Sequence, residues 1–266
     1  MNFCILLLLC VPLAVRTLSI PPSTKLPNLA IPGGGIYYYH LAGQLKHLRE
    51  TYPIFEPAPS SPPRYTLHGA SAGALAATLW SYDVSIEDAT TEAIRLSDEI
   101  DLWNRKLGLY GIWGPIIRSW LDTLLPPSST FIPPTNLNLL LTPATYKHLT
   151  DSSLSRYKVS SFGTKEELID ANMASVHLPL FLDNSLTSEF RSKRYIDGSF
   201  MSSSQDYGSP ETTTFLDYEG DEKLKQTRGG FVKLISRDGV WDLIELGYQY
   251  AKLKSSRGSF RTFESL

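Results

Sequence analysis

The chain has 266 residues, of which 42% are hydrophobic and 20% are charged, and its formal net charge is −2. This composition is ordinary for a globular protein with one sizeable core or two small ones. The near-neutral charge and the lack of any RNA- or DNA-binding motif argue against a nucleic-acid partner.

The N-terminus differs from the rest of the chain. Residues 3–15 are uncharged and largely apolar, and Arg16 follows them. The run is too short to span a bilayer, which takes about 20 residues, and it matches the apolar core of a secretory signal peptide. The alternative is a buried first strand.

We predict a signal peptide over residues 1–19, a linker rich in Pro and Ser over residues 20–27, and one domain over residues 28–266. A signal peptide directs the chain into the secretory pathway. Whether the product is secreted, retained, membrane-attached or sent onward to a plastid is left open.

A glycine-rich loop follows the first predicted strand of the domain. Residues 28–31 are a short apolar run, residues 33–35 are three glycines, and residues 36–49 have helix-compatible spacing. This arrangement directs backbone N–H groups at an anion, which could belong to a phosphate, a dinucleotide or an oxyanion. The P-loop lysine is missing, and Tyr38 stands where G-x-G-x-x-G has its last glycine. An oxyanion role fits best, with a purely structural turn as the alternative.

Residues 69–73 have the pattern G-x-S-x-G, with Ser71 at the centre. A run of strand character precedes them, and an Ala- and Leu-rich segment of high helix propensity follows. This is the context of a nucleophile elbow, in which a strand turns sharply into a helix and presents one serine. Gly69 and Gly73 would let the strand and the helix approach closely. We predict that Ser71 is a nucleophile; the alternative is a plain tight turn.

Two helices and an aromatic segment come next. A capping box at residues 85–88 opens a helix to about residue 100, and Pro115 starts a second helix that two prolines end. Residues 102–114 between them carry tryptophan, tyrosine and leucine among glycines. These side chains could form a lipid-facing lid or acyl groove, or they could be core.

The second half of the chain alternates predicted strands with predicted helices. The strands are residues 136–142, 156–162, 194–196 and 231–235, and the helices are residues 164–175 and 240–254. Residues 202–230 are polar and acidic, which predicts a surface loop. The alternation predicts an α/β sandwich with a largely parallel sheet.

A serine hydroxyl needs a neighbouring base to become a good nucleophile. Only His148 and His177 follow the elbow, and neither forms an acid-then-histidine pair at strand ends, so a Ser-His-acid triad is poorly supported. A carboxylate bonded directly to the serine is the other option, because burial would raise its pKa towards useful basicity. Asp197 fits, since it ends a strand and precedes a glycine, although Asp-Gly is also a common hairpin turn. Asp183 and Asp170 are weaker candidates.

Three motifs together resemble the patatin-like phospholipase family over about residues 29–200. They are residues 33–43, residues 69–73 and the Asp-Gly pair at residues 197–198, in that order. The resemblance implies a three-layer α/β/α fold and a Ser-Asp dyad that hydrolyses acyl esters of lipids. It implies no metal and no cofactor.

Position by position, the resemblance makes Ser71 the nucleophile and Asp197 the base. It assigns Gly33, Gly34 and Gly35 to the oxyanion hole, and Gly69 and Gly73 to the elbow. The implied substrate is a lipid acyl ester, met during transient contact with a membrane or a lipid-droplet surface.

The chain departs from the family pattern at two positions. Tyr38 stands where the family has a further glycine, and Ser199 stands where Gly or Ala usually follows the Asp-Gly pair. Tyrosine does not readily adopt a positive φ, so one rival interpretation is a catalytically silent lipid-binding protein. A second rival is a transacylase that uses the same dyad.

Overall fold

The computed structural model describes residues 26–56, 62–227 and 234–264. The predicted signal peptide, most of the predicted linker and the first three residues of the strand predicted at 231–235 lie outside these ranges. The described residues form a seven-stranded mixed sheet with helices on both faces, which is the predicted α/β/α sandwich.

The helices and strands have the following bounds. The strands are β1 (Asn28–Ile31), β2 (Thr66–Ala70), β3 (Leu137–Pro143), β4 (Tyr157–Val159), β5 (Ser188–Phe190), β6 (Lys193–Ile196) and β7 (Thr213–Phe215). The helices are α1 (Tyr38–Thr51), α2 (Ala72–Ser81), α3 (Ile86–Glu99), α4 (Trp113–Leu124), α5 (Tyr146–Thr150), α6 (Lys165–Ser175), α7 (Ser204–Tyr207), α8 (Glu222–Thr227) and α9 (Arg237–Ser256). None of the helices in the described ranges has both the length and the apolarity that crossing a bilayer requires.

The sheet has the order β5-β6-β3-β2-β1-β7, and β4 also pairs with β3. Strands β7, β1, β2 and β3 are parallel neighbours, whereas β4 and β6 run antiparallel to β3. Ala70 of β2 is in register with Leu140 of β3, and Ile196 of β6 is in register with Thr142 of β3. The residues that follow β2 and β6 therefore reach the same end of the sheet from opposite sides of β3.

Alternation along the central strands supplies both buried faces. Leu137, Leu139 and Leu141 of β3 belong to the main core, and Leu140 points to the opposite face, where it belongs to a smaller cluster with Tyr207 of α7. The two clusters place the sheet between apolar layers.

The prediction that residues 202–230 form a surface loop is wrong. Helix α7, strand β7 and helix α8 lie in this stretch, and β7 pairs with β1 in the parallel sheet. Tyr207, Leu216 and Leu224 are buried. Strand β7 is a short edge strand with half-buried side chains, so its sequence carries no apolar run that could reveal it.

Helix α9 packs directly against α1 through two glycines. A Cβ atom on Gly43 would lie 1.9 Å from the carbonyl oxygen of Ile244, and one on Gly247 would lie 1.9 Å from that of His40. Only glycine permits this backbone approach. The C-terminal helix is thereby fixed to the helix that follows the glycine loop.

Candidate active site

Ser71 lies at the turn between β2 and α2 in a strained conformation, with φ 52° and ψ −127°. A Cβ atom on Gly73 would lie 1.9 Å from the carbonyl oxygen of Ile31, and one on Gly69 would lie 2.5 Å from that of Gly73. Both glycines are required because strand and helix backbones touch here. A strained serine between a strand and a helix is the geometry of a nucleophile elbow.

The side chains of Ser71 and Asp197 meet. Ser71 Oγ donates a hydrogen bond of 2.6 Å to Asp197 Oδ2, although the two residues are 126 positions apart in the chain. Asp197 directly follows β6 and its exposed fraction is 3%. Gly198 lets the chain pass against β3, because a Cβ atom there would lie 1.8 Å from the carbonyl oxygen of Leu140.

Burial raises the pKa of the Asp197 carboxyl group, and hydrogen bonds from Ser199 and Ser71 act in the opposite direction. Asp197 Oδ1 accepts from the backbone N–H of Ser199 at 2.9 Å and from its hydroxyl at 2.5 Å. A buried carboxylate with a raised pKa is a better proton acceptor than an exposed one.

Ser175, the last residue of α6, connects the backbone at Ser71 with the backbone next to Asp197. Its hydroxyl accepts from the backbone N–H of Ser71 at 3.0 Å and donates to the carbonyl oxygen of Leu140 at 2.8 Å. Its own carbonyl oxygen accepts from the N–H of Gly198 at 2.7 Å. Sequence reasoning missed Ser175, since nothing local distinguishes it from any serine at the end of a helix.

The glycine loop lies against Ser71. A Cβ atom on Gly33 would lie 2.9 Å from the Cβ of Ser71. Gly35 has a φ of 55°, a conformation that favours glycine. The ring of Tyr218 covers Gly34, and its hydroxyl donates to the carbonyl oxygen of Gly33 at 3.0 Å. Tyr218 belongs to the stretch predicted as a surface loop, so this contact was also missed.

Tyr38 does not distort the loop. It is the first residue of α1 and has a φ of −42° and a ψ of −46°, which are ordinary helical values. Its ring is buried and makes an edge-to-face contact with Trp120 at 5.5 Å between centroids. The positive φ that this loop needs falls on Gly35.

None of the five histidines, all of which lie in the described ranges, forms a hydrogen bond with the side chain of Ser71 or Asp197. The ring of His148 bonds to Thr145 on the surface, and that of His177 faces the Ser185 backbone. His68 has no hydrogen-bond partner for Nδ1, and burial lowers its pKa to about 4.

The two weaker aspartate candidates lie away from Ser71. Asp170 forms a surface ion pair with Arg118 at 2.5 Å, and Asp183 is exposed and accepts from Ser185. The structure therefore brings Ser71 together with Asp197 and with neither Asp170 nor Asp183.

An apolar cavity opens onto Ser71. It has a volume of about 940 Å³, its open mouth included, and no charged side chain is among its described lining residues. Ser71, Ala72 and Gly35 form part of the wall. The aromatic lining residues are Tyr38, Tyr39, Trp103, Trp113 and Trp120.

Leu102 and Leu109 are buried and line the cavity, so the aromatic segment at residues 102–114 belongs both to the core and to the cavity wall. Trp120 is buried and donates its ring N–H to the carbonyl oxygen of Ala89 at 2.7 Å, while its ring still faces the cavity. Trp103 and Trp113 are half-buried and line the same cavity. An elongated apolar group could lie here with its polar end at Ser71.

The family model of the patatin-like phospholipases matches residues 29–204. This match covers more than half of the chain, and the chain belongs to the patatin-like phospholipase family. Membership in this family suggests lipid hydrolysis.

Two human relatives are similar to the chain. Patatin-like phospholipase domain-containing protein 2 is 28% identical over 206 residues, which cover 76% of this chain and 38% of that protein. Patatin-like phospholipase domain-containing protein 5 is 24% identical over 196 residues, or 73% of this chain and 42% of that protein. The chain thus spans about two fifths of the length of these relatives. No solved structure matches it.

Proposed function

We propose that this protein hydrolyses acyl ester bonds of lipids, with Ser71 as nucleophile and Asp197 as general base. The observation that carries the proposal is the 2.6 Å hydrogen bond from the Ser71 hydroxyl to a buried carboxylate, at the wall of an apolar cavity. The family match and the strained conformation of Ser71 support the same function.

In the first step, Asp197 accepts the hydroxyl proton of Ser71 while Oγ attacks the ester carbonyl carbon. The tetrahedral intermediate then collapses, and the leaving alcohol takes the proton from Asp197. An acyl group is now bonded to Ser71. In the second step, water loses a proton to Asp197 and attacks the acyl carbon, which releases the fatty acid and returns the proton to Ser71.

The oxyanion of each tetrahedral intermediate needs hydrogen-bond donors. We assign this role to the backbone N–H groups of Gly34 and Gly35, with the N–H of Ala72 as a further donor at the start of α2. Gly33 supports the assignment because it lies against Ser71. Each such donor contributes about 3 kcal/mol to transition-state stabilisation.

The cavity would hold the acyl chain of the substrate. Its apolar lining favours a hydrocarbon chain and excludes water from the ester. A charged head group finds no partner among the described lining residues, so we place it outside the cavity.

Contact with a lipid surface would occur around the cavity mouth. Two segments that line the cavity, residues 107–113 and 178–186, are joined by a hydrogen bond of 2.8 Å from the N–H of Gly111 to the carbonyl oxygen of Phe181. Leu107 on the first segment is 68% exposed, and Leu180 and Leu186 on the second are exposed as well. Exposed leucines beside a lipid-binding cavity are suited to enter an acyl layer.

The lipid contact is tested by binding to phosphatidylcholine vesicles in a Ser71→Ala background. Replacing Leu107 and Leu180 by aspartate is expected to weaken vesicle binding by about tenfold or more. Leu253→Asp, at an exposed position on α9, is the matched control and should bind as the parent does. Equal binding by all three proteins would refute this surface.

The catalytic proposal is tested with a fluorophosphonate probe and with fatty-acid release from lipid esters. The wild-type protein should be labelled at Ser71 and release fatty acid, whereas Ser71→Ala should do neither. Ser81→Ala, at the other end of α2, controls for the loss of a serine on the same helix. Labelling of Ser71→Ala equal to wild type would end the proposal.

Two rival functions have their own outcomes in these assays. Transfer of the acyl group to an added acceptor alcohol, in preference to water, would identify a transacylase with the same dyad. Lipid binding without labelling or fatty-acid release would identify a catalytically silent lipid-binding protein.

A further inference from the structure

Ser199 makes the closest contacts to the carboxylate oxygen that Ser71 does not use. Its hydroxyl donates to Asp197 Oδ1 at 2.5 Å, and its backbone N–H donates to the same oxygen at 2.9 Å. Asp197 Oδ2 is then left to accept from Ser71 at 2.6 Å. Two serine hydroxyls thus hold one carboxylate, each on a different oxygen.

The hydroxyl of Ser199 also lies beside the glycine loop. A Cβ atom on Gly33 would lie 2.5 Å from Ser199 Oγ, closer than real contacts allow. Ser199 therefore occupies the space between Asp197 and the loop assigned to the oxyanion. This is the position at which Gly or Ala usually follows the Asp-Gly pair in the family that the chain resembles.

The surroundings of Asp197 give its charge little other support. None of the ion pairs among the described residues includes Asp197. The backbone N–H of Asp197 donates to the carbonyl oxygen of His177. The imidazole ring of His177 therefore lies nearby, and its positive charge would favour the charged carboxylate. Tyr207 of α7 lies near Asp197 as well: burial raises the pKa of its phenol, and the charge of Asp197 adds to this effect. Hydrogen bonds must therefore oppose the cost of burying the charge.

We propose that Ser199 is a positioning residue of this site: its hydroxyl keeps the Asp197 carboxylate charged and directs Oδ2 towards Ser71. The proposal deepens the proposed function and rests on it for its effect on rate. The contact with the carboxylate itself does not depend on any activity. A base must be charged to accept the proton of Ser71, so Ser199 sets the pH at which the dyad begins to work.

The test compares Ser199→Ala with the wild-type protein across pH. Removing a hydroxyl that donates to a charged group should move the acid limb of kcat/KM upward by about one pH unit. The reason is that activity is lost as pH falls through the pKa of Asp197, and this pKa rises when a donor is lost. Ser199→Gly, which also lacks the hydroxyl, should show the same shift.

Ser202→Ala is the matched control. Its hydroxyl donates to the carbonyl oxygen of Ser199 at 3.2 Å and does not bond to Asp197. Its acid limb should coincide with that of the wild type. The proposal would be overturned if the activity of Ser199→Ala fell equally at all pH values while the midpoint of the acid limb stayed in place. Ser199 would then have a structural role only.

A second measurement separates this proposal from the proposed function. In ¹³C-aspartate-labelled protein with Ser71→Ala, the carboxyl resonance of Asp197, assigned with Asp197→Asn, can be titrated without any turnover. Its midpoint should rise by about one unit when Ser199→Ala is added. A raised midpoint, together with a wild-type protein that hydrolyses no ester, would support the role of Ser199 and refute the hydrolase. An unmoved midpoint, together with an active wild-type protein, would do the reverse.

Discussion

Asp197 is 3% exposed and Asp221 is 5% exposed, yet their partners differ in kind. Asp221 bonds to the ring of His40 at 2.9 Å, and its other oxygen accepts from the backbone N–H groups of Lys223 and Leu224 at the start of α8. Among the residues that the structure describes, the side chain of Asp197 accepts hydrogen bonds only from two serines. A histidine-aspartate pair is thus present in this chain but lies apart from Ser71.

The difference teaches that burial alone does not make a carboxylate a base. Helix N–H groups and an imidazole ring satisfy Asp221 fully and hold the start of a helix in place. Asp197 instead meets a hydroxyl on a strained residue beside an open cavity. Burial raises the pKa of the Asp197 carboxyl group, which makes it a better proton acceptor.

The largest effect is expected from Asp197→Asn, which should lower kcat/KM by about 10⁴-fold because the base is lost while the shape is kept. Stability should not fall. Burial raises the pKa of Asp197 in the folded state. The protein therefore loses stability as pH rises from the pKa of the unfolded state to that of the folded state. An amide does not ionise, so Asp197→Asn avoids this loss at pH 7. Ester hydrolysis and thermal unfolding measure the two quantities.

Asp183→Asn is the control for this variant, since Asp183 is an exposed aspartate that does not contact Ser71. It should keep full activity. An Asp197→Asn protein that retains its activity would remove the base from the mechanism.

Asp221→Ala should keep activity and lower the free energy of unfolding by about 3 kcal/mol. It leaves Nε2 of the buried His40 without its partner and removes the cap of α8. Chemical denaturation measures the change. Asp170→Ala breaks an exposed pair with Arg118 and should cost less than about 1 kcal/mol. A loss no larger than that in Asp221→Ala would contradict the structural role of the His40–Asp221 pair.

The smallest effect is expected at Tyr218, which connects the surroundings of Asp221 with the glycine loop beside Ser71. Tyr218 lies three residues before Asp221 and donates its hydroxyl to Gly33. Tyr218→Phe is expected to lower kcat by about tenfold with little change in KM, because the glycine loop loses its hydrogen bond from this hydroxyl. A tenfold loss of rate corresponds to about 1.4 kcal/mol of activation free energy. Steady-state kinetics on a soluble ester provides both constants.

Tyr250→Phe serves as its control, since this hydroxyl binds Asp217 on the same loop and not the glycine loop. Equal kinetics for the two variants would mean that Tyr218 does not act through Gly33.

Much of the fold could be predicted because its signals are local. Strand β1 has the predicted bounds, and Ser85 and Thr164 cap α3 and α6 as their capping boxes indicate. Strand β7 could not be found, since a half-buried edge strand has no distinctive pattern and exists only through its pairing with β1.

The site was predictable to different degrees for the same reason. Ser71 and its flanking glycines form one short pattern. Asp197 was favoured over the other two aspartate candidates because it ends a strand and precedes a glycine, and the resemblance to a family supported this choice; an Asp-Gly pair by itself also describes a turn. Ser175 and Tyr218 carry no sequence signal at all, because their partners lie in other parts of the chain.

The sequence by itself determined the elbow and the glycine loop, because a positive φ and a close backbone approach are requirements that a few adjacent residues meet or fail to meet. Only the tertiary structure decided which side chains face Ser71. That decision rests on β6 running antiparallel beside β3, which delivers Asp197 to the same end of the sheet as the end of β2. Hydrogen bonds across 126 positions depend on strand order and register, and no local pattern encodes either.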